Sequence, residues 1–140
     1  LVESIRGVHE RVNNVVGAAS RNDRSFPINW SALEDLFGSE KDPGSLSRLI
    51  SRFEDEMLID VVDSCSRFRN SDFVGCAKVL HRMVGLAGLF GAVALAAELV
   101  EMRKSVISVV SIPAILAQFG CIDASILAVT FAIRQAYSLD

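Results

Sequence analysis

Apolar residues recur every three or four positions along most of this chain, which is the spacing of a helix face and not of a strand. In residues 1–18, Ile5, Val8, Val12, Val15 and Val16 keep that spacing and predict an N-terminal helix. Its valines make it a modest helix former on its own. It either packs on the rest of the fold, dimerises, or belongs to a linker. Ser20, Asn22, Asp23, Ser25 and Pro27 mark residues 19–29 as a loop. Asn29 or Ser31 then caps a short helix carrying Ala32, Leu33, Leu36 and Phe37. Glu34, three residues past Ser31, completes the form of a capping box, and Gly38 is the expected stop.

Ser39 through Pro43 to Gly44 reads as a turn. A long helix starts at Ser45 or Ser47 and runs to about Phe68, with Leu46, Leu49, Ile50, Phe53, Met57, Leu58, Val61, Val62, Cys65 and Phe68 as its stripe. Glu54, Asp55, Glu56, Asp60 and Asp63 fall mostly off that stripe, as a solvated face would. Asn70 and Ser71 break the chain, and a helix over about 72–90 turns Phe73, Ala77, Leu80, Val84 and Ala87 inward before Gly91. Ala92, Leu95, Ala96, Leu99, Val100 and Met102 give the next helix a broad apolar face. Val106, Ile107, Val109 and Val110 favour strand by propensity, but a lone strand has no partner, so 105–112 reads as a helix tail or turn. Ser111 and Pro113 open a last helix to about Tyr137. Ile115, Phe119, Ile122, Ile126, Val129 and Ile133 carry its face, Gly120 is a candidate kink and Asp123 a candidate recap. The expected fold is all-α: an antiparallel four-helix bundle with an additional N-terminal helix and a short lead-in helix. Residues 1–28 form the N-terminal helix and linker, and residues 29–140 the bundle.

Composition narrows the function. The 140 residues suit one core, and 51% hydrophobic against 22% charged residues argues against disorder. A net charge of −3 without a basic stripe speaks against nucleic-acid binding. Cys65, Cys76 and Cys121 are an odd, widely spaced set without a CxxC pair, so they read as core thiols in a reducing compartment. Gln118, Asp123 and Arg134 interrupt the longest apolar stretch before it makes a membrane span, and no basic leader precedes an apolar run. A start at Leu1 suggests an excerpt of a longer chain, which is compatible with a membrane-anchored parent.

His9, between Val8 and Glu10, reads as a surface or packing residue. His81 stands in a different setting. On a helical wheel it lies roughly 80–100° from the centre of its helix's apolar stripe. Gly85 and Gly88 share its face. Each helix-interior glycine costs about 1 kcal/mol relative to alanine, so the pair calls for a reason. One is that a bulky partner must reach the imidazole; another is close approach of a second helix, with His81 a satisfied boundary residue. A neutral imidazole is a good nucleophile near neutral pH and can hold phosphorus as a phosphoramidate. Lys78, three residues earlier, is placed to balance phosphoryl charge, while Arg82 points further round the helix. The sequence has no glycine-rich nucleotide loop with a lysine, and no Glu-x-x-His pair for a metal-binding bundle.

The stretch His81-Arg-Met-Val-Gly-Leu-Ala-Gly-Leu-Phe-Gly-Ala92 resembles the signature of bacterial histidine phosphotransfer (HPt) domains. That signature runs histidine, any residue, leucine, lysine, glycine, small residues, then glycine-alanine. His81 matches the phosphorylated histidine, Met83 stands at the leucine, Gly85 at the glycine, Ala87 and Gly88 at the small positions, and Gly91-Ala92 at the closing pair. Residues 29–38, 49–73 and 95–102 are similar to the family's lead-in helix and to the helices before and after the histidine helix. The resemblance covers about residues 29–138. It departs at Val84, where the family usually has lysine.

The resemblance implies a phosphorelay intermediate that takes a phosphoryl group from a receiver-domain aspartate on His81 and passes it to another receiver. It implies no ATP binding, no autokinase activity and no cofactor of the chain's own, with Mg2+ expected in the partner receiver. Receiver domains are the implied partners, docking over Met83, Val84, Gly85, Leu86, Gly88 and Leu89. Expected location is cytoplasmic, as a separate protein or as the C-terminal part of a hybrid sensor kinase in the inner membrane, with dimerisation through residues 1–18 open. The alternative is a degenerate, non-catalytic HPt-like bundle that only docks or dimerises.

Overall fold

A computed structural model of the chain describes residues 24, 26–38, 42–108 and 111–139. The expected helix at 1–18, with His9 and any dimerisation through it, lies outside the described residues. Five helices and no strand occur among the described residues: α1 (Trp30–Phe37), α2 (Pro43–Arg69), α3 (Phe73–Leu89), α4 (Val93–Ser108) and α5 (Ile112–Ala136). Each of the four long helices packs on its neighbours in a closed ring, α2 on α3, α3 on α4, α4 on α5 and α5 back on α2. Three-residue turns at 70–72 and 90–92 force α2, α3 and α4 to run antiparallel. The all-α bundle expected from the apolar spacing is the fold found.

The helix ends follow from particular side chains. Asn29 caps α1, its side-chain oxygen accepting from the Ala32 N–H at 3.1 Å. Ser31 thus falls inside the first turn and is not the cap, while Glu34 accepts from the Tyr137 hydroxyl at 2.7 Å and pairs with Arg24 at 2.9 Å. This contact ties the lead-in helix to the end of α5. Gly38 (φ 60°) stops α1. α2 begins earlier than expected, because Pro43 sits in its first turn under the Asp42 cap, where a missing N–H costs nothing. α4 takes in Val106 and Ile107 and runs to Ser108, and α5 runs unbroken past Gly120 and Asp123, without the kink or recap.

Gly91 holds the lead-in helix against the bundle. It has φ 70°, its carbonyl accepts from the Asn29 N–H at 2.7 Å, and a Cβ there would collide with the Asn29 carbonyl. Of the glycines in the His81–Ala92 stretch, this one is required by the fold itself.

Phe53, Met57, Leu80, Met83, Leu95, Leu99, Met102, Ile126 and Ile133 fill the core, with Phe53 stacked on Phe90 at 4.1 Å. α5 is long and apolar enough to cross a membrane by length and composition, interruptions included. In the bundle, ten of its residues, Ile115, Phe119, Ile122 and Ile126 among them, are buried. Two expected core positions, Val62 and Val100, are exposed because they sit at the edges of stripes wider than the contact. Of the cysteines only Cys76 is a core thiol; Cys65 is half-buried and Cys121 exposed.

Asp72 starts the helix that carries His81. One carboxylate oxygen accepts from the Gly75 N–H at 3.0 Å, and the other from Arg67 at 3.0 Å. These two contacts, the backbone one first, hold its carboxyl below the usual carboxylate range. A folded-state pKa below the unfolded one stabilises fully above the unfolded value and is lost as pH falls through the folded value. Asp72→Asn is therefore expected to lower the melting temperature at neutral pH and to lose that effect in acid. Melts by circular dichroism between about pH 7 and about pH 2 check this, and an equal deficit throughout would contradict it.

Candidate functional site

α3 presents His81 near its middle, and the helix is turned differently from the wheel drawn on sequence. Its buried residues are Cys76, Ala77, Val79, Leu80, Met83 and Ala87, while Phe73 and Val84 are only half-buried. The core face has rotated by about 50° toward the α2 side at 100° per residue. α3 must cover α2 as well as α4, so the α2 flank is buried too.

This rotation settles the surroundings of His81. It now lies about 130° from the centre of the buried face, and it is exposed. Among the described residues nothing hydrogen-bonds to its ring or pairs with it. Met83, expected at the edge of the docking face, is fully buried at 0% exposure, which corrects that assignment. Val84 and Leu86 are half-buried on opposite flanks, and Gly85, Gly88 and Leu89 are exposed. Five of the six expected docking residues thus reach the surface, wholly or in part.

The glycines discriminate between the two explanations for their presence. A Cβ added at Gly85 or Gly88 would meet nothing within 4 Å. Among the described residues, no helix approaches them and no internal contact requires them. Gly75 differs, since a Cβ there would run into the Asp72 carboxylate and the Arg67 guanidinium. Among the described residues, bare backbone at 85 and 88 therefore opens onto space beside the imidazole.

The two nearby cations have different situations. Arg82 reaches back to α2, where its Nη2 meets Asp60 Oδ1 at 2.8 Å and its Nε meets Oδ2 at 3.3 Å. That hydrogen-bonded pairing, chiefly, raises the Arg82 pKa further. Arg82 is thus committed to a structural contact between helices. Lys78 is exposed on the His81 face and has no ion-pair partner within 4.0 Å among the described residues.

Exposed apolar residues border the face. On α3 these are Val74 and Leu89, and on α4 Val93, Val100 and Ile107. The α4 residues recur every seven positions and so lie along one edge. Ile107 meets α3 across a groove with Phe73, Val74, Ala77 and Lys78, so this edge is the one beside α3. The α4 edge was not recognised in the sequence, although the seven-residue spacing of its exposed members was there to be read. Asp60 was read as solvated surface and is instead the anchor of Arg82.

Comparison with protein-family models, with curated proteins and with solved structures finds no match to the chain.

Proposed function

We propose that this bundle is a phosphocarrier, receiving a phosphoryl group on His81 from a receiver-domain aspartate and returning it to the aspartate of another receiver. The observation that carries this reading is the exposed His81 ring, without a partner among the described residues, beside two helix-interior glycines that no packing in the described fold explains. The resemblance of residues 81–92 to the HPt signature supports it independently of the geometry.

In the forward step the lone pair of a ring nitrogen attacks phosphorus in line. The N–P bond forms as the bond from phosphorus to the aspartyl oxygen breaks, and that oxygen leaves with the electron pair as a carboxylate. The second ring nitrogen retains its proton, or releases it to solvent, and the reverse step hands the group on. Charge on the transferring phosphoryl group needs stabilisation from the receiver's Mg2+ and from Lys78. The aliphatic edge of Val74, Leu89, Val93, Val100 and Ile107 provides apolar area for docking.

Incubating the chain with receiver domains phosphorylated from acetyl phosphate, and following acid-labile phosphate, tests the proposal. Transfer from at least one receiver is expected, and none across a broad panel would contradict it. Val84→Lys refines the test. Its half-buried site lets a lysine stem lie along apolar surface with the ammonium in solvent. One added cation near the transferring group contributes up to about 1 kcal/mol at an exposed site, or about fivefold in rate. Faster transfer is therefore expected. Unchanged transfer would mean that Lys78 already serves that role, and no transfer by either form would favour a bundle that only docks.

A further inference from the structure

The groove between the start of α3 and the end of α4 lies one helical turn from His81, and of its walls the transfer chemistry uses Lys78 alone. Its walls are Phe73, Val74, Ala77, Lys78, Arg103 and Ile107, around a volume of about 330 Å³. Val74 and Ile107 form exposed apolar lips, at 69% and 58% exposure. The walls contain two cations and no acid. Arg103 Nε is buried and makes no hydrogen bond. The nearby acids are engaged elsewhere: Asp72 with Arg67, Glu101 with Lys104 and Glu98 with Ser125. Among the described residues, neither Lys78 nor Arg103 has a salt-bridge partner.

This combination selects its occupant. A purely apolar side chain entering the groove would desolvate Arg103 further and leave it unpaired. A basic segment would be repelled by both cations. An apolar side chain with a carboxylate beside it satisfies the lips and the cations together. We propose that this groove is the partner-selecting contact of the docking face, taking such an acidic-apolar element of the receiver, with Arg103 receiving its carboxylate. The proposal rests on the phosphotransfer reading. Like-charged or uncharged receivers would be rejected here, away from the reacting atoms, so selection acts on docking and not on the chemical step.

The test uses the 140-residue chain and the receiver domain, phosphorylated from acetyl phosphate, that gives the lowest half-saturating concentration. Arg103→Glu is expected to raise that concentration about tenfold or more, with the transfer rate at saturation within about twofold of wild type. Wild-type docking weakens as salt rises from about 50 to about 300 mM, and the variant is expected to lose that dependence. Arg103→Lys retains the charge and should stay near wild type. Ile107→Asp, at an exposed lip, supplies a second variant should Arg103→Glu perturb folding, and it is expected to weaken docking likewise.

Equal half-saturation for wild type and both charge-altering variants would overturn the groove proposal while leaving phosphotransfer standing. No transfer to wild type from any receiver would instead remove the phosphotransfer reading, and this proposal with it. A concentration-dependent dimer abolished by Arg103→Glu, or binding to phosphatidylglycerol vesicles abolished by it without effect on receiver docking, would overturn the assigned occupant.

Discussion

His81→Gln is expected to abolish acid-labile phosphate on the chain while leaving its stability within about 0.5 kcal/mol of wild type. The two halves of this expectation have the same cause. The His81 side chain is exposed and makes no hydrogen bond or ion pair among the described residues, so its removal leaves no cavity and no orphaned partner. Glutamine keeps polarity and helix propensity but lacks a ring nitrogen able to attack phosphorus. Denaturant unfolding beside a phosphorylation assay measures both quantities. A loss of about 2 kcal/mol or more would identify His81 as a structural residue, and full labelling of the variant would place the phosphoryl group elsewhere.

The double substitution Gly85→Ala/Gly88→Ala is expected to raise stability and lower transfer. Each alanine relieves up to about 1 kcal/mol of helix cost, so the pair should melt several degrees higher, at roughly 2–4 °C or more per kcal/mol for a domain of this size. Neither new methyl meets a neighbour within 4 Å. A docked partner, by contrast, would meet both. Overpacking a close interface costs about 1–3 kcal/mol, which corresponds to transfer about fivefold slower or worse at subsaturating receiver. A lower melting temperature or unchanged transfer would each contradict the account: the first by showing an internal role for the glycines, the second by removing the partner from that face. A protein with this trade-off carries a stability deficit at the site it uses.

Much of the fold was legible because its signals are local. Apolar spacing marked every described helix, and Gly38, Asn70 and Ser111 marked boundaries that the structure retains. Pro43 was misread as part of a turn because the proline-glycine pair is a turn signal unless an N-cap such as Asp42 precedes it. The rotation of α3 was not legible. Phe73 and Val84 are more hydrophobic than Cys76 or Ala77, so a wheel weighted by side-chain character centres on them. Which flank is buried depends on where α2 lies. That misreading moved Met83 to the surface and placed His81 closer to the core than it is.

The candidate site divides in the same way. His81, Gly85 and Gly88 share a face by helical period alone, so their grouping was readable. Lys78 was readable from its three-residue offset. The Asp60–Arg82 pair joins residues 22 positions apart across two helices, and the groove of Lys78 and Arg103 joins α3 to α4. Neither exists until the helices pack. Open space at Gly85 and Gly88 is likewise a property of the packed bundle, and among the described residues it leaves neither glycine in a helix contact, where sequence left both readings standing.

The most direct measurement is to mix the wild-type chain with a phosphorylated receiver, isolate the chain in alkali, locate the phosphoryl group by peptide mass spectrometry, and chase it with a second, unphosphorylated receiver. The account predicts one phosphoryl group per chain, on His81, which leaves when the second receiver is added. A chain that stays unlabelled, carries the group on another residue, or holds it on His81 without ever surrendering it to a receiver would contradict the account.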